Sequence, residues 1–281
     1  MRFAFIICNL PSHSVFIYAA ECWAANLEVI LISVIKGIGK TVRDLTDGSF
    51  LKSFTSAVIL AAGSGTRMGT EQTKQWLTVG GVPVVVRTLS VFQASRYINE
   101  IVLCVKEDEL GMYDGIAERY GITKLKCVVK GGATRQESAL HGFKRISDEA
   151  ELVAIHDAAR CLITEDMIEA TVRAARRDGG ACAAMRATDT VKIAEKHGSI
   201  LSTVDRSTVW LAQTPQVFGV DQYRVAAYLA IRDGFAVTDD ASLMEHAGFN
   251  VTLVDCGKEN LKITEPTDLL IAEAIIRPRE G

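Results

Sequence analysis

The chain has 281 residues, of which 48% are hydrophobic and 23% charged, a balance typical of a globular protein with enough apolar side chains for one large α/β domain. Its 31 basic and 34 acidic residues give a formal net charge of −3, which argues against a nucleic-acid partner because such surfaces normally show a basic excess. The seven cysteines contain no C-x-x-C spacing. Neither a zinc site nor a dithiol redox site is therefore indicated, and the odd, scattered set favours a reducing, cytoplasmic location.

The first 55 residues carry no functional motif. Their apolar runs are interrupted by Glu21 and Glu28, so no run of roughly 20 apolar residues is available for a stable membrane span. The segment also fits poorly to a secretory signal or a transit peptide. We expect residues 1–55 to be a poorly ordered extension or the product of an upstream start codon, with an interfacial membrane segment as the alternative, and residues 56–281 to form the functional domain.

From Ser56 onward, strand and helix patterns alternate. Apolar, β-prone runs predict strands at Ala57–Leu60, Ile101–Val105, Cys127–Val129, Leu152–Ile155, Ala181–Met185 and Val251–Val254. Helical patterns lie near Val84–Ala94, Leu110–Tyr120, Arg135–Ile146, Glu165–Arg177, Asp221–Ile231, Ser242–Ala247 and Thr267–Ile276. This order predicts a Rossmann-like α/β fold, with a mostly parallel sheet and helices on both faces. Ligands of such sheets bind beyond the carboxyl ends of the strands.

A glycine-rich loop, Leu60–Gly69, follows the first predicted strand. Gly63 and Gly65 allow backbone N–H groups to turn toward an anion, while Arg67 and Lys74 add two cations that can bind phosphate. The glycine spacing does not match the dinucleotide fingerprint, and no lysine follows the last glycine as in a Walker loop. The loop therefore predicts a polyphosphate site of another kind, although alone it is also compatible with an ordinary strand-to-helix turn.

Two further motifs follow predicted strands. Gly131 and Gly132 come after the third strand, and Asp157 comes after the fourth. A carboxylate at this edge suits a hard cation such as Mg²⁺, so Asp157 is predicted to be a metal ligand, with the capping of a loop as the alternative. His156 is expected to be a structural hydrogen-bonding residue and not a base.

Residues 188–208 interrupt the α/β alternation. Two β-prone runs, Thr190–Ile193 and Ile200–Val204, are joined by the short segment Lys196–Ser199. This pattern predicts a β-hairpin arm inserted into the domain. Because a lone two-stranded hairpin is marginally stable in water, we expect the arm to pack against a second copy of the chain in a homodimer.

Besides the glycine loop, five segments carry distinctive motifs: Gly131–Ser138, Ile155–Arg160, Thr214–Phe218, Thr238–Ser242 and Asn260–Thr264. Together with the loop, these segments resemble the family of 2-C-methyl-D-erythritol 4-phosphate cytidylyltransferases of the non-mevalonate isoprenoid pathway, and the resemblance runs from about Ser56 to the C-terminus. The resemblance implies transfer of CMP from CTP to a polyol phosphate, assisted by Mg²⁺ or another divalent cation bound by Asp157.

The resemblance also implies roles for single residues. The catalytic cations are Arg67, Lys74 and Lys262. The nucleotide pocket is formed by Ala61, Ala62, Gly63, Gly65, Gly131, Gly132, Ser138 and Arg160. The acceptor is bound by Thr238 and by Thr190 and Arg206 from the arm of the partner subunit. The chain departs from the family at Ala133, where an acidic residue is common, and at Cys161, where proline is common.

Two other functions stay open at this point. A ribitol-5-phosphate cytidylyltransferase would share the fold and chemistry, although Ala159 in the segment after Asp157 leans toward the methylerythritol enzymes. An inactive structural or regulatory homologue is the alternative from another class. The presence of Arg67, Lys74, Lys262 and Asp157 argues against it.

Overall fold

The computed structural model describes residues 53–63 and 73–280. Gly65, Arg67 and the extension through residue 52 lie outside these ranges. The described part contains a seven-stranded sheet, whose strands are β1 (Thr55–Leu60), β4 (Glu100–Val105), β5 (Leu125–Lys130), β6 (Leu152–Asp157), β7 (Gly180–Arg186), β10 (Trp210–Gly219) and β11 (Thr252–Asp255). Across the sheet they lie in the order β11-β7-β10-β6-β1-β4-β5.

The sheet is parallel except at one strand. β1 pairs in parallel with β4 and β6, β4 with β5, and β7 with β11, whereas β10 runs antiparallel to both of its neighbours. The register places Leu60 opposite Asp157 and Cys104 opposite Val129. The carboxyl ends of β1, β4, β5 and β6 therefore meet at one edge, which confirms the predicted fold class.

Helices cover both faces of the sheet because successive side chains of a buried strand point to opposite sides. In β1, Ala57 and Ile59 belong to one apolar cluster, and Val58 and Leu60 belong to the other. The helices are α1 (Val84–Ala94), α2 (Ile116–Tyr120), α3 (Arg135–Phe143), α4 (Glu165–Asp178), α5 (Val220–Asp233), α6 (Asp240–His246) and α7 (Pro266–Glu280). Helices α1 and α4 pack on the first side, and α3, α5 and α6 on the second. No helix of the described ranges is long and apolar enough to cross a membrane.

Two elements differ from the sequence expectation. The predicted helix Leu110–Tyr120 is split into a 3₁₀ segment, Glu107–Tyr113, and the short helix α2. Gly115 separates the two with a φ of 68°, a left-handed conformation that ends helical geometry. The ten-residue strand β10 was not predicted, because it contains Pro215, and proline normally interrupts a strand.

The predicted arm is a separate two-stranded sheet. Strand β8 (Lys192–Ala194) pairs antiparallel with β9 (Ile200–Thr203), and every residue of both strands is exposed. The exposed side chains include Ile193, Ile200 and Leu201. A second small ribbon, β2 (Thr78–Val79) with β3 (Val82–Pro83), precedes α1.

Candidate active site

A cavity of about 310 Å³ lies at the carboxyl edge of the sheet. Its walls come from the segments that follow β1, β5 and β6, together with the 3₁₀ turn Lys74–Trp76 and the segment before α7. The lining residues are Leu60, Ala62, Gly63, Lys74, Gln75, Gly132, Ala133, Thr134, Arg135, Ser138, Asp157, Ala159 and Lys262. The structure thus brings together motifs that are up to 202 residues apart in the chain, counting from Leu60 to Lys262 (262 − 60).

The glycine pair after β5 is required by close packing. A Cβ atom on Gly131 would lie 2.5 Å from Cβ of Ala62, and one on Gly132 would lie 2.2 Å from Cβ of Glu137. The N–H of Gly132 donates to Oγ of Ser138 at 3.0 Å, and Ser138 donates to the carbonyl of Thr134 at 2.9 Å. Ser138 therefore fixes the glycine segment against the first turn of α3, so that backbone and not side chain lines the cavity.

Replacing Gly132 with alanine is expected to destabilise the fold, since the backbone carbonyl carbon of Glu137, as well as its side chain, stands too close to the new methyl group. Overpacking of this kind costs about 1–3 kcal/mol. The free energy of unfolding, measured by urea titration, checks this. Gly111→Ala is the matched control, because no atom lies within 4 Å of the new Cβ. Equal stability of the two variants would contradict the prediction.

Asp157 lies between two cations. Its Oδ2 accepts from Nζ of Lys262 at 2.6 Å, and its Oδ1 accepts from Nε of Arg135 at 3.2 Å. Burial by itself would raise the pKa of Asp157, but the charges of Arg135 and Lys262 outweigh it and hold that pKa well below its usual range. The cavity therefore contains a carboxylate that stays ionised at any physiological pH.

Arg135 is a residue of the cavity that sequence reasoning did not select. It bridges Asp157 and Asp240, donating from Nη1 to Oδ2 of Asp240 at 2.6 Å. Burial lowers its pKa, but the two carboxylates more than compensate and raise the pKa overall. Arg135 and Asp240 both belong to recognised segments, but they are 105 residues apart. Only the fold reveals that they form one ion-pair network.

His156 has a structural role in holding Asp157. Its ring is fully buried, and burial lowers its pKa to about 3, so the imidazole is neutral. Nε2 donates to the carbonyl of Arg160 at 3.3 Å, which leaves Nδ1 to accept from Oγ1 of Thr214 at 3.0 Å. Oγ1 of Thr214 in turn accepts from the N–H of Asp157 at 3.0 Å. This chain of hydrogen bonds positions the backbone of the metal-ligand candidate.

The pKa of His156 predicts a loss of stability in acid. An unfolded histidine titrates near about 6.5, whereas the native ring stays neutral down to about pH 3. As the pH falls from 7 toward 5, the unfolded chain takes up a proton that the native chain does not. The free energy of unfolding should then decrease with a slope approaching about 1.4 kcal/mol per pH unit from this group.

Urea titrations of wild type and His156→Gln at several pH values between these limits test this expectation. The variant has no proton to gain at this position, so its stability should change less steeply with pH than that of wild type. Identical slopes would show that the native ring takes up a proton as readily as the unfolded one.

Arg160 donates hydrogen bonds to backbone carbonyls and does not line the cavity. Its Nη1 donates to the carbonyl of Asn260 at 2.8 Å and its Nη2 to that of Ala212 at 3.4 Å. Asn260 is fully buried and donates to Thr214 and Gln213. Arg160 therefore joins the segment that carries Lys262 to strand β10.

The remaining predicted residues lie apart from the cavity wall. Ala61 is buried behind it, with its N–H bonded to the carbonyl of Cys104 at 2.7 Å. Thr190, Arg206 and Thr238 are exposed and do not line the cavity. Nη1 of Arg206 donates to the carbonyl of Thr188 at 2.9 Å. Gly65 and Arg67 belong to the loop outside the described residues.

The cavity holds one carboxylate that could bind a divalent cation. Within residues 53–63 and 73–280, no three or more His, Cys, Asp or Glu side chains form a metal-binding group. Mg²⁺ is commonly held by one or two carboxylates together with substrate phosphates and water, and does not need an all-protein cage. The ionised carboxylate of Asp157 in the cavity fits that requirement as a single protein ligand.

Comparison with known proteins places these features in one family. The family model of 2-C-methyl-D-erythritol 4-phosphate cytidylyltransferase (IspD) matches residues 55–278. The chain is similar to proteins of that name from Syntrophus aciditrophicus, with 40% identity over 82% of this chain and 99% of the relative, and from Pelotomaculum thermopropionicum, with 41% identity over 80% and 95%.

Solved structures agree with the sequence relatives. The crystal structure of 4-diphosphocytidyl-2C-methyl-D-erythritol synthase from Anaerococcus prevotii has a TM-score of 0.71 and 31% identity, covering 80% of this chain and 99% of its own. The Thermus thermophilus 2-C-methyl-D-erythritol 4-phosphate cytidylyltransferase has a TM-score of 0.66 and 31% identity with the same coverage.

Proposed function

Because the chain belongs to the 2-C-methyl-D-erythritol 4-phosphate cytidylyltransferase family, we propose that it transfers CMP from CTP to 2-C-methyl-D-erythritol 4-phosphate. The products are 4-diphosphocytidyl-2-C-methyl-D-erythritol and pyrophosphate. The observation that carries the proposal is the cavity in which Lys74, Lys262 and Asp157 meet Gly132 at the carboxyl edge of the sheet.

The reaction needs charge stabilisation more than acid–base chemistry. An oxygen of the acceptor phosphate forms a bond to the α-phosphorus of CTP, and the bond from that phosphorus to the β-phosphate oxygen breaks, so the electron pair leaves with pyrophosphate. The acceptor phosphate is already ionised, so no general base is required. The protein must bring two anions together and neutralise charge that develops on the α-phosphoryl oxygens, a task for preorganised cations. Lys74, Lys262 and Arg67 are proposed to supply them.

The nucleotide is proposed to lie along the strand ends. The cytosine ring would approach the backbone at Gly131 and Gly132, where a side chain cannot be accommodated. Ala62 and Gly63 face the same cavity. A role for Ala61, Gly65 and Arg160 in nucleotide binding remains part of the proposal. Since Arg160 is bonded to the Asn260 carbonyl, its contribution would be to hold the segment before Lys262.

Mg²⁺ or another divalent cation is proposed to bind Asp157 together with the triphosphate. When bound, it would neutralise phosphate charge and orient the leaving group. Asp157 is held in place for this role by the hydrogen bond from its N–H to Thr214, and its charge is maintained by Lys262 and Arg135.

Asp157→Asn is expected to raise the Mg²⁺ concentration needed for half-maximal turnover, because the amide is a weaker ligand for a hard cation than the carboxylate. The measurement is a Mg²⁺ titration of the rate at saturating CTP. The exposed residue Asp148 offers a control variant, Asp148→Asn, that does not touch the cavity. A titration curve of Asp157→Asn that overlays wild type would remove Asp157 as a metal ligand.

The acceptor is proposed to bind at a site shared by two subunits of a homodimer. Thr190 and Arg206 flank the strands of the arm, whose exposed apolar side chains favour a partner surface. Thr238 of the home subunit would complete the acceptor site. Because neither arm residue reaches the cavity of its own chain, contribution to a neighbouring chain is the arrangement that gives them a role.

Pyrophosphate release from CTP tests the proposal as a whole. Release with 2-C-methyl-D-erythritol 4-phosphate, and little with ribitol 5-phosphate, is the expected result. The opposite preference would identify the ribitol enzyme, and release with neither would favour an inactive homologue.

A reducing, cytoplasmic location is also proposed, since the five cysteines of the described residues are free thiols.

A further inference from the structure

Arg135 connects the cavity to a second carboxylate that the reaction above does not use. Its Nε donates to Asp157 at 3.2 Å, while its Nη1 donates to Asp240 at 2.6 Å. Asp240 is only 1% exposed, so water cannot replace Arg135 as its partner. A carboxylate this deeply buried needs a cation and further hydrogen bonds.

Asp240 is fixed by groups that do not belong to the cavity. The hydroxyl of Tyr223, itself buried, donates to Oδ1 of Asp240 at 2.8 Å. Asp240 lies in the first turn of α6, which Asp239 caps, and Oε1 of Gln216 accepts from the N–H of Ala241 at 2.9 Å. Strand β10 and helix α5 thus fix the position of Asp240. Asp240 in turn fixes the position of Nη1 of Arg135 relative to Asp157.

We infer that Asp240 is a positioning residue that divides Arg135 between two carboxylates and so leaves Asp157 able to bind a divalent cation. This inference depends on the proposed role of Asp157. An arginine shared by two carboxylates binds each less tightly than it would bind one alone, because its fixed fork cannot align fully with both. Nη2 of Arg135 makes no hydrogen bond with the described residues, so the guanidinium has a donor available to bind Asp157 more closely.

Removing the charge of Asp240 should therefore weaken metal binding at a distance. In Asp240→Asn, Arg135 loses its stronger partner and turns toward Asp157, and a cation must then compete with a tighter ion pair. Tyr223→Phe removes only the hydrogen bond that orients Asp240 and should act in the same direction by a smaller factor. In both variants the residues that face the cavity are unchanged.

The test measures CTP binding by isothermal titration calorimetry at a series of Mg²⁺ concentrations, with no acceptor present. For Asp240→Asn, the Mg²⁺ concentration that gives half of the full effect on CTP affinity should rise at least about fivefold, as expected for residues coupled in one ion-pair network. In an Arg135→Gln background the same substitution should have no further effect. Asp221→Asn, which breaks an exposed carboxylate–arginine pair with Arg224, is the matched control.

Each outcome is decisive. A wild-type Mg²⁺ dependence in Asp240→Asn, or an equal shift with and without Arg135, overturns the inference. If Asp240→Asn does not fold, as judged by circular dichroism, Tyr223→Phe decides, and an unshifted Mg²⁺ dependence in it overturns the inference. Asp157→Asn in the same assay separates this result from the proposed function: if it too leaves the Mg²⁺ dependence unchanged, the proposed metal site itself fails.

Discussion

Lys74→Ala is expected to lower turnover at least about 100-fold while the protein stays folded. Lys74 begins the 3₁₀ turn Lys74–Trp76, and a Cβ on Gly63 would lie 3.9 Å from its Nζ. The side chain thus lies beside Gly63, in the same cavity as Asp157 and Lys262. Loss of one preorganised donor to charge that develops in a transition state costs about 2.7–4 kcal/mol.

Steady-state rates of pyrophosphate release measure this effect. A fall in kcat with little change in the KM for CTP would mean that Lys74 acts mainly on the transition state, whereas a raised KM at unchanged kcat would mean uniform binding. Lys144→Ala is the control, since Lys144 is exposed and lies outside the cavity wall. Turnover of Lys74→Ala within a few-fold of the control would exclude Lys74 from the mechanism. Arg67→Ala is expected to behave like Lys74→Ala.

The sequence predicted the location of the site because a parallel sheet has only one carboxyl edge. Motifs that follow β1, β5 and β6 must meet there, whatever the length of chain between them. Gly63, Gly132 and Asp157 accordingly line one cavity. The glycine residues could be placed because each follows the end of an apolar run within three residues, a pattern that is visible in the sequence.

The sequence could not predict how the charges of the site are paired. Arg135 and Asp240 both begin helices, and their letters alone indicate solvated charges in a first helical turn. Their pairing at 2.6 Å depends on the packing of α3 and α6 on the same face of the sheet. A long-range ion pair leaves no periodic pattern, so no reading of a single sequence could have found it.

Strand β10 escaped prediction for a different reason. Pro215 lies within it, and proline cannot donate a hydrogen bond to a neighbouring strand. The register with β7 shifts between Ala212 and Gln216, so the proline falls where regular pairing is interrupted. Pairing with β7 resumes at Gln216, where pairing with β6 begins. This tolerated irregularity also places Thr214 against His156 and Asp157.

Arg206→Ala is expected to abolish activity in a homodimer of identical subunits, yet to be rescued by mixing. Arg206 is exposed at the base of the arm and does not line the cavity of its own chain. If its guanidinium binds the acceptor phosphate of the neighbouring subunit, its loss removes a cation from a site that is otherwise complete. Lys74→Ala subunits lack a cation in their own site but carry an intact arm.

Mixing the two inactive variants should therefore restore activity. In a mixed dimer with the arm acting in trans, one site carries both lesions and the other carries neither. Random exchange of subunits with two-fold symmetry makes half of the dimers mixed, so recovery should approach about a quarter of the wild-type rate. If Arg206 acted within its own subunit, every site would keep one lesion and no activity would return. Sedimentation at the assay concentration provides the control: a monomer could not show rescue, because the arm would have no second cavity to complete.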